Sequence, residues 1–144
     1  MAAPVTKEGA LQQLRVLWFV WVVTIALYVW VGEMVSGIPW LDFPNARTVF
    51  TLVGIASLVG FVWFRQRKYS ESLEALRSQP DDIHAIRRWI NSWLVLACVA
   101  EIEAVFGLVM RLGGHALQQS LPFYVVGLLL TLWMWPQLAR SSPQ

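Results

Sequence analysis

Cysteine is all but missing from this chain of 144 residues: Cys98 stands alone, inside an apolar run. A single thiol excludes an intrachain disulfide and any multi-cysteine metal cluster. Histidine is nearly as scarce. His84 precedes the third long apolar stretch and His115 follows it, so the two lie too far apart in depth for a shared haem, a two-histidine metal site or a Ser-His-Asp centre. No cofactor, no bound metal and no enzyme activity are expected. Charge is sparse as well, at 14% of residues, and the 11 basic side chains form no dense block. That leaves no electrostatic footprint for nucleic acid.

Apolar surface is what the chain has in quantity. It is 57% hydrophobic with a mean hydropathy of +0.54, a composition that belongs in lipid rather than water. About 20 apolar residues cross roughly 30 Å of hydrocarbon. Four stretches approach that length, at about 13–35, 46–66, 88–112 and 119–138, with a cytoplasmic linker at about 67–87. The run from Val16 to Gly32 is too long for a signal-peptide core and no Ala-x-Ala site follows it, so it is expected to stay as a mature span.

Local signals punctuate these runs. Gly37-Ile38-Pro39 forbids further helix after the first span, and Arg65, Arg67 and Lys68 close the second. Pro80-Asp81-Asp82 marks a helix start at which an aspartate can cap free amides, and Gly113-Gly114 marks the stop. Ser120 is the expected N-cap of the fourth span, ahead of Pro122, and Pro136 ends it. Leu73 and Leu76 in the linker suit a short helix resting on headgroups or a simple tether. The expected fold is an all-α, four-helix transmembrane bundle in a single domain.

Basic residues are retained on the cytoplasmic side. With both termini inside, Lys7, Arg15, Arg65, Arg67, Lys68, Arg77, Arg87, Arg88 and Arg140 are cytoplasmic and only Arg47 and Arg111 face out. That asymmetry argues against dual topology. Trp30 and Trp40 are expected at the outer interface, and Trp18, Trp63, Trp89, Trp93, Trp133 and Trp135 toward the inner one. Glu33 can pair with Arg47 or Arg111 across the outer surface.

The most informative feature is an acid pair inside the third span. Glu101 lies near the middle of the run from Trp93 to Val109, and Glu103 follows two residues later. An ionised acid at that depth costs on the order of 3 kcal/mol to insert, so intramembrane carboxyls are functional candidates by default. At 100° per residue Ala97, Ala100, Ala104 and Gly107 form a narrow small-residue stripe that lets another helix approach, with the two glutamates on its flanks. Val95, Ile102, Phe106 and Val109 form the face that suits lipid. Desolvation favours the neutral acid and proximity opposes double ionisation, so at least one of the two is expected to carry a proton. Thr24, Tyr28, Ser57, Tyr124 and Thr131 are the expected hydrogen-bond partners at similar depth.

The nine residues Glu101 to Val109, read as Glu, two residues, small, apolar, aromatic, Gly, Leu, apolar, resemble the ion-binding helix of the proteolipid (c or K) subunits of rotary ATPases. The resemblance implies that Glu101 binds a proton or sodium ion, with Ala104, Phe106 and Gly107 on the small, aromatic and glycine positions. Length and span count also look like the duplicated form of that family. Two function classes stay open. One is a structural or accessory component of a bacterial inner membrane, joined by protonated acids and assembled as a homo-oligomer or in a larger complex through the small face of the third or second span. The other is a proton- or cation-binding subunit or small transporter using Glu101, helped by Glu103.

Overall fold

A computed structural model describes residues 6–35 and 45–136. Trp40, Arg140, the Gly37-Ile38-Pro39 breaker and the last two residues of the expected fourth span lie outside the described residues. The described chain is helical throughout its elements: α1 (Lys7–Val35), α2 (Ala46–Phe64), α3 (Ser70–Ser78), α4 (Ile83–Leu112) and α5 (Leu117–Trp133). Three helices, Lys7–Val35, the continuous Arg47–Ser78 and Ile83–Leu112, are long and apolar enough to cross a membrane. The fourth apolar helix, α5, has 17 residues, about 26 Å at 1.5 Å per residue.

The start and stop of α4 follow from local chemistry. The Asp82 side chain accepts a hydrogen bond from the His84 amide at 3.0 Å, and the helix ends at Gly113, followed by Gly114 at φ 80°. Glycine adopts that left-handed conformation without steric cost. At 30 residues the helix is about 45 Å long, longer than a hydrocarbon core is thick.

α2 ends at Phe64, ahead of Arg65, Arg67 and Lys68 as expected, but the helical backbone does not stop there. The chain passes through a π turn at Arg65–Tyr69, where the Ser70 amide reaches back to the Arg65 carbonyl, and runs on into α3. The extra residue in that turn rotates the helix phase, and α3 lands with Leu76 and Ser72 fully buried rather than resting on a surface. Ser120 is not an N-cap: α5 begins earlier, with Ala116 in the cap position, and the buried Ser120 hydroxyl bonds back to the Ala116 and Leu117 carbonyls at 3.3 Å. Pro122 accordingly sits inside the helix, near its start.

Helix α4 is the axis, touching α1, α2, α3 and α5. α1 runs the same way as α4, since Trp21 meets Trp93 and, further on, Glu33 meets Arg111. α2 and α5 run opposite to it. The small stripe does its expected work inside the chain. Ala97, Ala100, Ala104 and Gly107 are buried, and α5 fills the space above them. A Cβ on Gly127 would lie 2.9 Å from the Ala100 carbonyl oxygen, and one on Gly107 would lie 2.9 Å from the Tyr124 ring. This face is closed to a second copy, whereas α2 keeps exposed Val49, Leu52, Val53, Ile55 and Val59. Ile102 and Val95 are exposed as expected, but Phe106 packs between Phe50 and Phe123.

The larger core lies toward the end where α1 and α4 begin, built from Leu11, Leu14, Phe61, Leu76, Ile86, Trp89, Trp93 and Leu96. Trp89 and Trp93 are therefore core residues, not interfacial anchors. Their indoles are 0% and 1% exposed and find partners inside, Trp89 at the Tyr69 hydroxyl and Trp93 at the Met134 carbonyl. A polar N–H on a large ring lets tryptophan serve either role. Trp30, Trp63, Trp133 and Trp135 are exposed.

Candidate functional site

The two glutamates diverge from α4 toward different neighbours. Residues two apart on a helix are turned by about 200°, so Glu101 reaches α1 and Glu103 reaches α2. On α1, Trp21, Ile25 and Tyr28 recur at four and three residues and face α4 as one stripe. Ile25 is buried between the two polar aromatics. Trp21 Nε1 donates to Glu101 Oε2 at 2.5 Å, and the Tyr28 hydroxyl donates to Oε1 at 2.8 Å. Trp21 is held by the Trp93 ring, 5.4 Å between centroids.

Glu103 is 2% exposed. Its partner is the Ser57 hydroxyl, which hydrogen-bonds Glu103 Oε1 and lies 2.9 Å from the Gly54 carbonyl oxygen. Gly54 makes the approach possible, because a Cβ there would stand 3.0 Å from Glu103 Oε2. A hydroxyl has one proton to give. If the acid is neutral, it donates to Ser57, and Ser57 donates to Gly54. If it is ionised, Ser57 must turn its proton toward the carboxylate. The neutral form completes the chain of bonds. The ionised form would leave a buried charge with one donor, a costly arrangement. A cleft of about 310 Å³ opens beside Glu103 between α2 and α5, with Arg47, Thr51, Gln118 and Gln119 among its lining residues.

Of the expected partners, Tyr28 and Ser57 meet the acids. Thr24 and Thr131 instead bond within their own helices, to the Val20 and Gly127 carbonyls. The Tyr124 hydroxyl reaches the Tyr28 carbonyl at 3.5 Å, and the Tyr124 ring lies over Gly107. Among the described residues every fully buried side-chain polar atom has a partner. No group of three His, Cys, Asp or Glu residues able to hold a metal occurs among them.

No protein-family model matches this chain, and no curated protein or solved structure is significantly similar to it. The chemistry of the residues is what bears on function.

Sequence reasoning misses Trp21, and a signal for it exists. It lies in the middle of the 29-residue α1, away from either end, where an indole N–H needs an internal acceptor. Its spacing of two turns from Tyr28 brackets one point on a neighbouring helix. At the far end of the same pair of helices, Glu33 and Arg111 form a two-pronged ion pair, Nε to Oε1 at 2.7 Å and the terminal nitrogen to Oε2 at 2.9 Å. Arg111 also donates to the His115 carbonyl at 2.8 Å. His115 itself bonds Gln119.

Proposed function

We propose that this chain is a multi-pass protein of a bacterial cell membrane, with both termini cytoplasmic, and serves as a structural or accessory membrane component. Its acid pair fastens α1 and α2 to α4. The observation that carries this reading is that each carboxyl closes on side chains from a different neighbouring helix of the same chain. Interhelical bonds of this kind contribute about 1 kcal/mol each in a membrane. They orient the helices more than they stabilise them, while the small-residue contact of α4 with α5 supplies close packing.

A second reading is favoured by one detail at Glu101. The Trp21 N–H can only donate, but the Tyr28 hydroxyl can either donate or accept. Glu101 can therefore hold or release a proton while both contacts survive. This suits the proteolipid-like motif, and it suits a proton better than sodium, because one of the two groups around the carboxyl is an indole that has no lone pair for a cation. A larger complex or a homo-oligomer built on the exposed face of α2 is compatible with either reading.

Glu101→Gln and Glu101→Leu separate the two. Glutamine keeps an acceptor for Trp21 and can donate to Tyr28, whereas leucine leaves the Trp21 N–H unpaired, at a cost of about 1–3 kcal/mol. The structural reading expects the glutamine protein to unfold in detergent at the parental midpoint and the leucine protein well below it. Equal stability of all three would sink that reading. Reaction of Glu101 with a hydrophobic carbodiimide, suppressed at high pH and abolished in the glutamine protein, would support proton binding. Unchanged modification across pH would count against it.

A further inference from the structure

A second cleft, of about 420 Å³, lies at the opposite end of α4 from the Glu33–Arg111 pair. It is lined by Phe64 at the end of α2 and by His84, Arg87, Arg88, Asn91, Ser92 and Val95 of α4. The α4 residues recur at three and four positions, so they occupy one face through three turns. Along that face the chemistry is ordered: cationic side chains first, then an amide and a hydroxyl, then an apolar wall of Val95 and Phe64. None of the lining residues is acidic, and neither arginine makes an ion pair among the described residues.

Ser92 singles this cleft out from an ordinary solvated basic face. It is 8% exposed, and its hydroxyl makes no hydrogen bond among the described residues, although other serines in the chain bond back to a helix carbonyl. The Ser92 hydroxyl opens on the cavity and has no protein partner, so it is left to bond a partner that enters the cleft. The groups around it are hydrogen-bond donors and positive charges, so that partner is an anion. An apolar wall directly beyond the donors suits an anion that carries a hydrocarbon chain.

We propose that this cleft binds one anionic phospholipid of the cytoplasmic leaflet. Its phosphodiester lies among Arg87, Arg88, Asn91 and the Ser92 hydroxyl, and the start of an acyl chain runs along Val95 and Phe64. Planar guanidinium groups and a hydroxyl match the oxygens of a phosphodiester, and basic pockets between helices at that depth are suited to acidic headgroups. The proposal rests on the membrane reading and its orientation, which puts Arg87 and Arg88 on the inner side.

The test uses the full chain reconstituted in nanodiscs of phosphatidylcholine alone or with phosphatidylglycerol, followed by detergent extraction and mass spectrometry of the lipid retained. Phosphatidylglycerol should be retained over phosphatidylcholine by on the order of tenfold, given two arginines at the site. The preference should vanish in Arg87→Gln/Arg88→Gln and fall in Ser92→Ala, while Arg15→Gln, a cytoplasmic charge outside the cleft, leaves it intact. Equal loss with Arg15→Gln would reduce the effect to general surface potential and overturn the site. Displacement of the lipid by free inorganic phosphate would overturn the acyl-chain contact. Failure to enter phosphatidylcholine discs at all would refute the membrane reading, whereas entry without lipid preference would refute only this proposal.

Discussion

Adding one methyl group should have opposite consequences at two glycines of this bundle. At Gly127 the new Cβ would lie 2.9 Å from the Ala100 carbonyl oxygen, 3.0 Å from the Ala104 amide nitrogen and 3.1 Å from the Ala104 Cβ. Two of those three atoms are backbone of the central helix and cannot rotate aside, so α5 must move away from α4. Overpacking of that kind costs about 1–3 kcal/mol. At Gly60 nothing stands within 4 Å of the added carbon. There the better helix propensity of alanine contributes up to about 1 kcal/mol. Gly127→Ala and Gly60→Ala should therefore separate by about 1–4 kcal/mol. Unfolding of the purified protein by titrating denaturing into mild detergent, followed by tryptophan fluorescence, reads the difference. The probe suits the question because Trp89 and Trp93 are buried in the core. If the two variants unfold at one midpoint, the α4–α5 contact is looser than described, and the account of the small-residue stripe is wrong.

Two further substitutions examine the acid at α2 and the membrane setting. Glu103→Gln should unfold within about 1 kcal/mol of the parent, since a neutral amide also donates to Ser57, while Glu103→Ala should lose about 2–3 kcal/mol through the emptied space and the broken bond. Equal losses in the same detergent titration would show that a negative charge, not a neutral donor, is what α2 requires. Cys98 faces outward from α4 and is exposed on the protein surface. In intact vesicles it should stay unmodified by a charged maleimide and react once the protein is unfolded in denaturing detergent, because lipid excludes the charged reagent. Rapid modification in sealed vesicles would place that face in water.

The helical class and the position of the acid pair could be read from composition and spacing, because apolar run length and a 100° turn per residue are properties of single helices. The Asp82 cap and the Gly113-Gly114 stop were legible for the same reason. What could not be read depends on two helices at once. Ser57 was identifiable as a polar group at the right depth, but its reach to Glu103 depends on Gly54 one turn earlier, whose missing side chain admits the carboxyl. The sequence carries both residues, and nothing in either alone says which helix they face. Trp89 and Trp93 show the same limit from the other side. Near a span end, tryptophan ordinarily reports an interface, and here the continuation of α2 through a π turn into α3 brings Leu76 over that end and turns the interface into core. A one-residue change of helical phase thus bears on the surroundings of Trp89, which meets Tyr69 of the π turn, whereas Trp93 is enclosed by Trp21 and the Met134 carbonyl. Hydropathy is averaged over a window far wider than one residue and does not register that change, so the acid pair was the legible part of the site and its partners were only partly so.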